Sequence, residues 1–497
     1  MRLTELMPES APDAHHAPDP EITGLTADSR AVEPGFLFAA LPGSNADGRS
    51  FIPDAVGRGA AAVLAPPGTE LPPDDGQPTV RLITEENPRR RFALLAARFF
   101  GAQPRVICAV TGTNGKTSVA WFTQQIWAAI GHSCATMGTL GLHGTNGAVG
   151  RIGDSGPALT TADPVTLHRE LAALAAREVD YLVLEASSHG LEQARLDGIT
   201  FRAGAFTNIS RDHLDYHGTM EAYRAAKLRL FTALLPPAAH AVLNADSDDF
   251  DAFREAAEGA GQKIITFGRQ ATDIRLVNAM PGDAGQRLEI EVFGARHQVD
   301  FPLPAMFQAI NALCALGLVI ACGDAGDAAL EALTTLDGVP GRLQLVARRD
   351  NGAPVYVDYA HTPDALAHVL AALRPHTVAK LVVVFGCGGD RDSGKRAEMG
   401  TVARRLADVV MVTDDNPRTE DAAAIRSAIL AACRHATEFD DRAAAIHAAA
   451  AGLGPGDVLV ICGKGHETGQ IVGDTVYPFV DADVARAAVA AIEGRGA

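Results

Sequence analysis

Between the apolar run Val106-Ile107-Cys108-Ala109-Val110 and a helix-like segment lie eight residues, Thr111-Gly112-Thr113-Asn114-Gly115-Lys116-Thr117-Ser118, whose types and spacing suit phosphate binding. Glycines let a backbone curl until its N–H groups face phosphate oxygens, Lys116 brings positive charge, and the Thr117 hydroxyl can ligate Mg²⁺. The chemistry this predicts is the use of a nucleoside triphosphate. The usual G-x-x-x-x-G-K-[ST] spacing would put glycine at 110, where this chain has Val110; its first glycine is Gly112.

Two more apolar runs end in groups able to serve that loop. Tyr181-Leu182-Val183-Leu184 leads into Glu185-Ala186-Ser187-Ser188-His189-Gly190, and the run ending at Thr207 leads into Asn208-Ile209-Ser210-Arg211-Asp212-His213. In a parallel sheet both ends would lie beside the phosphate loop. Glu185 and His213 are then candidate Mg²⁺ ligands or water positioners, because a hard cation bridging phosphates needs only one or two protein ligands besides Thr117. Lys227 sits in the helical stretch Tyr223 to Phe231, where a lysine read by itself is solvated. Asp415-Asn416-Pro417-Arg418, after the apolar run 409–413, reads as a turn between strand and helix.

The elements that must hold these groups fall into three segments, as a chain of 497 residues suggests at about 150 residues per domain. Residues 1–103 mix short apolar runs with Pro- and Gly-rich turns, including a loop from Pro66 to Pro78, and read as a small α/β unit; Pro88 to Phe100 has helical spacing and stops at Gly101. Residues 104–338 alternate strand-like runs with Ala- and Leu-rich helical ones, and 339–497 repeat the alternation with runs at 354–358, 381–385, 409–413 and 457–461. Such alternation predicts mainly parallel sheets covered by helices, with ligands at the carboxyl ends of the strands.

A net charge of −17 without basic blocks argues against nucleic acid or an anionic membrane as partner. The seven cysteines form no C-x-x-C pair, and their odd number argues against a disulfide framework, so reducing cytoplasm is the expected compartment. The N-terminus lacks a signal-peptide core, and the most apolar stretch, Ala312 to Cys322, is too short to span a bilayer. No membrane insertion is expected.

Taken in order, Thr111–Ser118, Glu185–Gly190, Asp212-His213-Leu214-Asp215-Tyr216-His217-Gly218, Lys227, Gly341-Arg342, Asp358-Tyr359-Ala360-His361 and Gly463-Lys464-Gly465-His466-Glu467 resemble the Mur ligase family, over about residues 24 to 480. The resemblance implies an α/β chain of three domains: a UDP-sugar-binding domain (1–103), a central ATPase with a P-loop-type parallel sheet (104–338), and a Rossmann-like domain that receives the amino acid (339–497). It implies that ATP phosphorylates the terminal carboxylate of UDP-N-acetylmuramoyl-L-alanyl-D-glutamate and that an amine then attacks the acyl phosphate. Lys116, Thr117, Glu185 and His213 match the family's phosphate and Mg²⁺ residues, and Lys227 its carbamylated lysine. Asn311 looks like the adenine contact; Arg342 and Asp358 look like phosphate and ribose contacts. Gln308 stands where the family usually has asparagine.

For the UDP-sugar substrate the matching positions are Ala27, Ser29, Ser44, Asn45, Ala46, Thr160, Thr161, Ser187, Gln193 and Arg195, with Ser44 and Ala162 departing from the commonest residues. Asp415-Asn416-Pro417-Arg418 resembles the motif of the members that take meso-diaminopimelate. Diaminopimelate differs from lysine by a second carboxylate, which a guanidinium can grip through paired charge-assisted bonds. Arg391, Gly463 and Glu467 match the remaining amino-acid contacts, Glu467 being suited to an ammonium. A monomer is the expected state. Another Mur ligase or a folylpolyglutamate synthetase would share the ATPase core but should lack Asp415–Arg418 and the Thr160-Thr161 pair, and a P-loop GTPase switch or motor would need no carboxylate-activating site or separate amino-acid domain.

Overall fold

The computed structural model of the protein describes residues 1–7, 19–43, 46–72, 80–145, 159–282 and 285–494. Ser44 and Asn45, expected at the UDP-sugar, lie outside the described residues. The chain forms two compact units, the first of residues 1–275 and 313–329, the second of 276–312 and 330–497.

Two sheets build the first unit. Strands Gly24–Thr26, Phe36–Ala39, Ala62–Ala65 and Arg81–Thr84 pair in chain order, all parallel. Leu37, Ala39, Ala62 and Leu64 pack on one face with Phe92 and Leu95 of the helix Pro88–Phe100, while Phe38, Val63 and Ala65 pack on the other. That helix ends at Gly101, whose φ of 73° explains the stop read from the sequence.

Seven of the ten strands of the larger sheet run, in this unit, in the order Lys263–Gly268, His240–Asn244, Ala203–Phe206, Val106–Thr111, Tyr181–Glu185, Cys134–Gly138, Gly141–Gly144. Among these seven strands only the last pairing is antiparallel. Ile107, Leu182, Leu184, Phe206 and Leu243 belong to one buried core with the covering helices.

In the second unit, strands Gln344–Arg348, Pro354–Asp358, Val458–Cys462, Leu381–Phe385, Val409–Val412 and Thr437–Glu438 form a sheet that is parallel apart from its first pair. Leu381, Val383 and Phe385 face one core and Val382 and Val384 another. Burial on both faces is why these strands read as unbroken apolar runs, and the α/β expectation holds in both units. The second unit also holds a hairpin, Gly469–Val472 with Thr475–Pro478, and an antiparallel pairing of Gly285–Val292 with Ala295–Phe301. All seven cysteines are buried and free, and no helix among the described residues is long and apolar enough to cross a membrane.

Candidate active site

Strand Val106–Thr111 pairs with Tyr181–Glu185 on one side and Ala203–Phe206 on the other, so the three carboxyl ends open at one edge, as expected. Val110 lies in the strand, fully buried and opposite Glu185; the backbone first curls two residues later, which is where this chain needs its glycine. Gly112 has φ +149°, and a Cβ there would stand 1.9 Å from the Thr207 hydroxyl. The loop is held by the neighbouring strand end: Thr113 N–H donates to the Asn208 carbonyl at 2.8 Å and Asn114 N–H to Asn208 Oδ1 at 3.0 Å. Gly115, left-handed at φ 87°, opens the helix Lys116–Ala129 without any side-chain cap, so the first-turn N–H groups face the loop as an anion site requires.

Two ammonium groups converge beneath this loop. Lys116 Nζ donates to the carbonyls of Gly112 and Thr113, each at 2.9 Å. Lys227 Nζ, on the helix Met220–Arg229, donates to Gly112 O at 2.7 Å and lies 4.4 Å from the Tyr223 ring centroid. Far from solvated, Lys227 is 1% exposed. Burial pushes its pKa well below the ordinary lysine value; the Lys116 charge pushes the same way and Asp212 opposes.

Glu185, 3% exposed, is the acidic node. Its Oε2 accepts from the Thr117 hydroxyl at 3.0 Å and the Thr139 hydroxyl at 3.2 Å, and its Oε1 accepts from Thr139 N–H at 2.8 Å. Thr139 also shares a hydrogen bond with Thr160 at 3.1 Å. His213 sits outside this node at the end of an exposed loop, with φ 51°, its Nε2 3.5 Å from Asp212 and its ring 4.9 Å from His189 and 6.1 Å from Tyr223.

The residues expected at the muramoyl peptide continue from Glu185. The Thr161 hydroxyl donates to the Glu185 carbonyl at 2.8 Å and accepts from Ser187 N–H at 3.0 Å. Arg195 donates to the Thr161 carbonyl at 2.7 Å and to Gln193 Oε1, also at 2.7 Å. Ala27, Ser29 and Ala46 remain with the four-stranded sheet, Ala27 and Ala46 exposed and Ser29 buried.

In the second unit, Asp358 ends its strand with both carboxylate oxygens occupied, by Leu343 N–H at 2.6 Å and Ala360 N–H at 2.7 Å. Burial raises its pKa, with Arg342 and those two donors opposing. The Arg342 guanidinium lies 4.7 Å from the Tyr359 ring centroid, and its carbonyl accepts from Gln308 Nε2 at 3.2 Å. Gln308, whose role the family pattern leaves open, thus tethers Arg342. One turn on, Asn311 is 8% exposed.

Beyond strands Val409–Val412 and Val458–Cys462 the expected amino-acid residues come together. Arg418, at φ 52°, donates through Nη1 to the Gly389 carbonyl at 2.8 Å, beside the exposed Arg391. Gly389 N–H in turn reaches the Asn416 carbonyl at 2.9 Å. Asn416 Nδ2 donates to Glu467 Oε2 at 2.8 Å, and a Cβ on Gly463 would stand 2.5 Å from Asp415 Oδ2. A left-handed arginine after a proline is strain of the kind that collects at functional sites.

Several residues of the site carried no assignment from the sequence. Thr139 follows a strand without motif, Asn208 was a strand-end residue without a role, and Tyr223 shares a 3.0 Å hydrogen bond with Thr113 from a helix that read as generic. Lys464 is wholly buried at 2.9 Å from Asn416 Oδ1; the Gly463–Glu467 motif was its only signal.

The residues fit a nucleotide with a hard divalent cation. The uncapped helix start and Lys116 suit polyphosphate, and Thr117 with Glu185 offers two hard oxygen donors. Among the described residues no group of three or more His, Cys, Asp or Glu side chains is placed to hold a metal, so the cation would complete its shell with phosphate and water.

Comparison with known proteins agrees with this geometry. Residues 21–100 match the Mur ligase family catalytic domain, 110–319 the Mur ligase middle domain, and 341–465 the Mur ligase glutamate ligase domain. A UDP-N-acetylmuramoyl-L-alanyl-D-glutamate–2,6-diaminopimelate ligase of Caulobacter vibrioides is 53% identical, covering 94% of this chain and 95% of the relative. The protein of that name from Brucella melitensis is 50% identical over 99% of each chain. A solved structure of such a ligase superposes with TM-score 0.74 at 35% identity, covering 99% of each chain. A Mycobacterium tuberculosis folylpolyglutamate synthase shares the fold at TM-score 0.59 and 20% identity, over 75% of this chain and 91% of its own.

Proposed function

The chain belongs to the Mur ligase family, and from that premise we propose that it is an ATP-dependent ligase joining meso-2,6-diaminopimelate to UDP-N-acetylmuramoyl-L-alanyl-D-glutamate in peptidoglycan precursor synthesis. The observation that carries the choice of amino acid is the cluster of Arg418, Asn416 and Glu467 at the strand ends of the second unit. A cation for the distal carboxylate and an anion for the distal ammonium are what the zwitterionic end of diaminopimelate requires. The near-full-length relatives named for this reaction support the same choice.

In this reading residues 1–103 bind the UDP-sugar, 104–338 the nucleotide and 339–497 the amino acid, a division supported by the three family matches. A carboxylate oxygen of the dipeptide attacks the γ-phosphorus of ATP and the bond to ADP breaks; the amine then attacks the acyl carbon, phosphate leaves and the nitrogen sheds a proton. Lys116 and the Gly115–Thr117 N–H groups hold the phosphates in line, as phosphoryl transfer demands. Thr117, Glu185 and His213 would hold Mg²⁺, which when bound would neutralise phosphate charge. Thr160, Thr161, Ser187, Gln193 and Arg195 orient the dipeptide, and Ala27, Ser29, Ser44, Asn45 and Ala46 the uridine end. Asn311, Arg342 and Asp358 take the adenosine and phosphates; Asp415, Pro417, Arg391 and Gly463 complete the amino-acid pocket.

Lys227 works as a carbamate. Its neutral amine adds to CO₂ with loss of one proton, giving a carboxylate-like anion for the cation; the depressed pKa and the burial support this. The enzyme is a cytoplasmic monomer. Incubation with ATP, the UDP-muramoyl dipeptide and either meso-diaminopimelate or L-lysine, followed by product mass, tests the reading: a diaminopimelate adduct is expected, and none, or an equal lysine adduct, overturns it.

A further inference from the structure

Resting on that reading, we propose that Lys464 is a positioning residue for amino-acid selection, fixing the orientation of Asn416 and the carboxylate of Glu467. Its side chain is fully buried, and its ammonium lies 2.9 Å from Asn416 Oδ1 and 3.1 Å from Glu467 Oε2. Asn416 Nδ2 donates to the same Glu467 oxygen at 2.8 Å, which closes a triangle of three side chains. Asn416 Oδ1 also accepts from Ile471 N–H at 3.0 Å, in the hairpin whose Gln470 side chain donates to the Asp415 carbonyl at 2.7 Å.

The polarity of this triangle has one solution. An ammonium has three donors and no acceptor, so the Asn416 amide must turn its oxygen to Lys464 and its NH₂ to Glu467. One carboxylate oxygen of Glu467 is thereby committed to the protein. At 34% side-chain exposure Glu467 is otherwise reachable, and its remaining oxygen is the one left to meet a substrate ammonium. A buried charge is retained at such cost only with its partners in place; removing it takes one of two donors from Asn416 Oδ1, leaving Ile471 N–H, and one of two from Glu467 Oε2, leaving Asn416 Nδ2, so that both groups are held less firmly. Lys464 touches no reacting atom in this scheme. It acts through Asn416 and Glu467.

Steady-state kinetics of full-length Lys464→Met and Lys464→Gln, with diaminopimelate varied at saturating ATP and dipeptide, test the proposal. The KM for diaminopimelate should rise about tenfold or more, while kcat and the KM values for ATP and dipeptide stay within about twofold. With Glu467 already changed to Gln, adding Lys464→Met should raise the diaminopimelate KM by only about twofold, because the group that Lys464 holds has lost its charge. An unchanged diaminopimelate KM in folded variants, parallel rises for all three substrates, or additive effects in the double variant would overturn it. Failure of both variants to fold, judged by circular dichroism, would assign Lys464 to structure alone. A wild type that ignores diaminopimelate removes the ligase reading and this inference together; a wild type that uses it beside indifferent variants removes the inference only.

Discussion

Lys116 and Lys227, from separate helices, donate to one carbonyl oxygen, that of Gly112, at 2.9 and 2.7 Å. Two ammonium groups on one acceptor repel, and the buried member is the one that loses its charge most readily. The arrangement therefore separates the lysines by role: a cation for phosphate, and a buried amine biased toward its uncharged form.

Lys116→Ala should abolish amide formation in a protein that still folds. Losing about 4 kcal/mol of transition-state stabilisation slows turnover roughly a thousandfold. Near-normal product formation by the folded variant, followed by phosphate release, would remove the phosphate assignment.

Lys227→Ala should be inactive and partly rescued by a small added carboxylate, which takes the place of the carbamate anion. Intact mass of the wild-type enzyme under bicarbonate should show the CO₂ adduct. Full activity with an unmodified lysine would rule the carbamate out.

Gly112→Ala should lose ATP-induced thermal stabilisation, because φ +149° and a 1.9 Å approach to Thr207 leave no room for a methyl group. The strain costs about 1–3 kcal/mol locally and shifts the N–H groups of the loop. Normal ATP stabilisation in that variant would show the loop to be tolerant.

Arg418→Ala should lose diaminopimelate turnover by a factor on the order of a hundred or more while ATP binding is retained, since an unpaired distal carboxylate costs several kcal/mol. Arg418→Lys should restore little, because one ammonium cannot reproduce the guanidinium fork. Gain of lysine activity is not required. Unchanged diaminopimelate turnover in Arg418→Ala would move the specificity elsewhere.

The pH dependence of stability should contain a term from His168, 3% exposed with Nε2 donating to the Asp197 carbonyl at 3.1 Å. Burial lowers its pKa, and the hydrogen bond only partly opposes this. The unfolded chain then takes up a proton at a pH where the folded one does not, so this contribution is complete above about pH 6.5 and is lost as pH falls below it. The limiting slope is about 1.4 kcal/mol per pH unit. His168→Gln keeps a donor for Asp197, and its denaturant midpoint should fall less steeply than wild type between about pH 6.5 and 5. Parallel profiles would contradict the assignment.

The phosphate loop, the helix Pro88–Phe100 with its Gly101 stop, and the strands ending at Glu185, Asp358 and Val412 were legible in the sequence because local spacing determines them. Apolar runs of strand length bounded by polar or glycine-rich residues admit few other readings, and a parallel sheet then carries those ends to one edge. Asp415–Arg418 was legible as a motif, with its chemistry readable from the guanidinium itself. Lys227 was different: its only local signal was a helix position that suits a solvated lysine, and the acceptor that changes its character, Gly112 O, lies 115 residues away. The same holds for Tyr223 against Thr113, 110 residues apart, and for Lys464 against Asn416, 48 apart. Burial and distant partners decide whether a lysine is a solvated cation, a neutral amine or a buried strut. Those are properties of packing, which one-dimensional spacing does not contain.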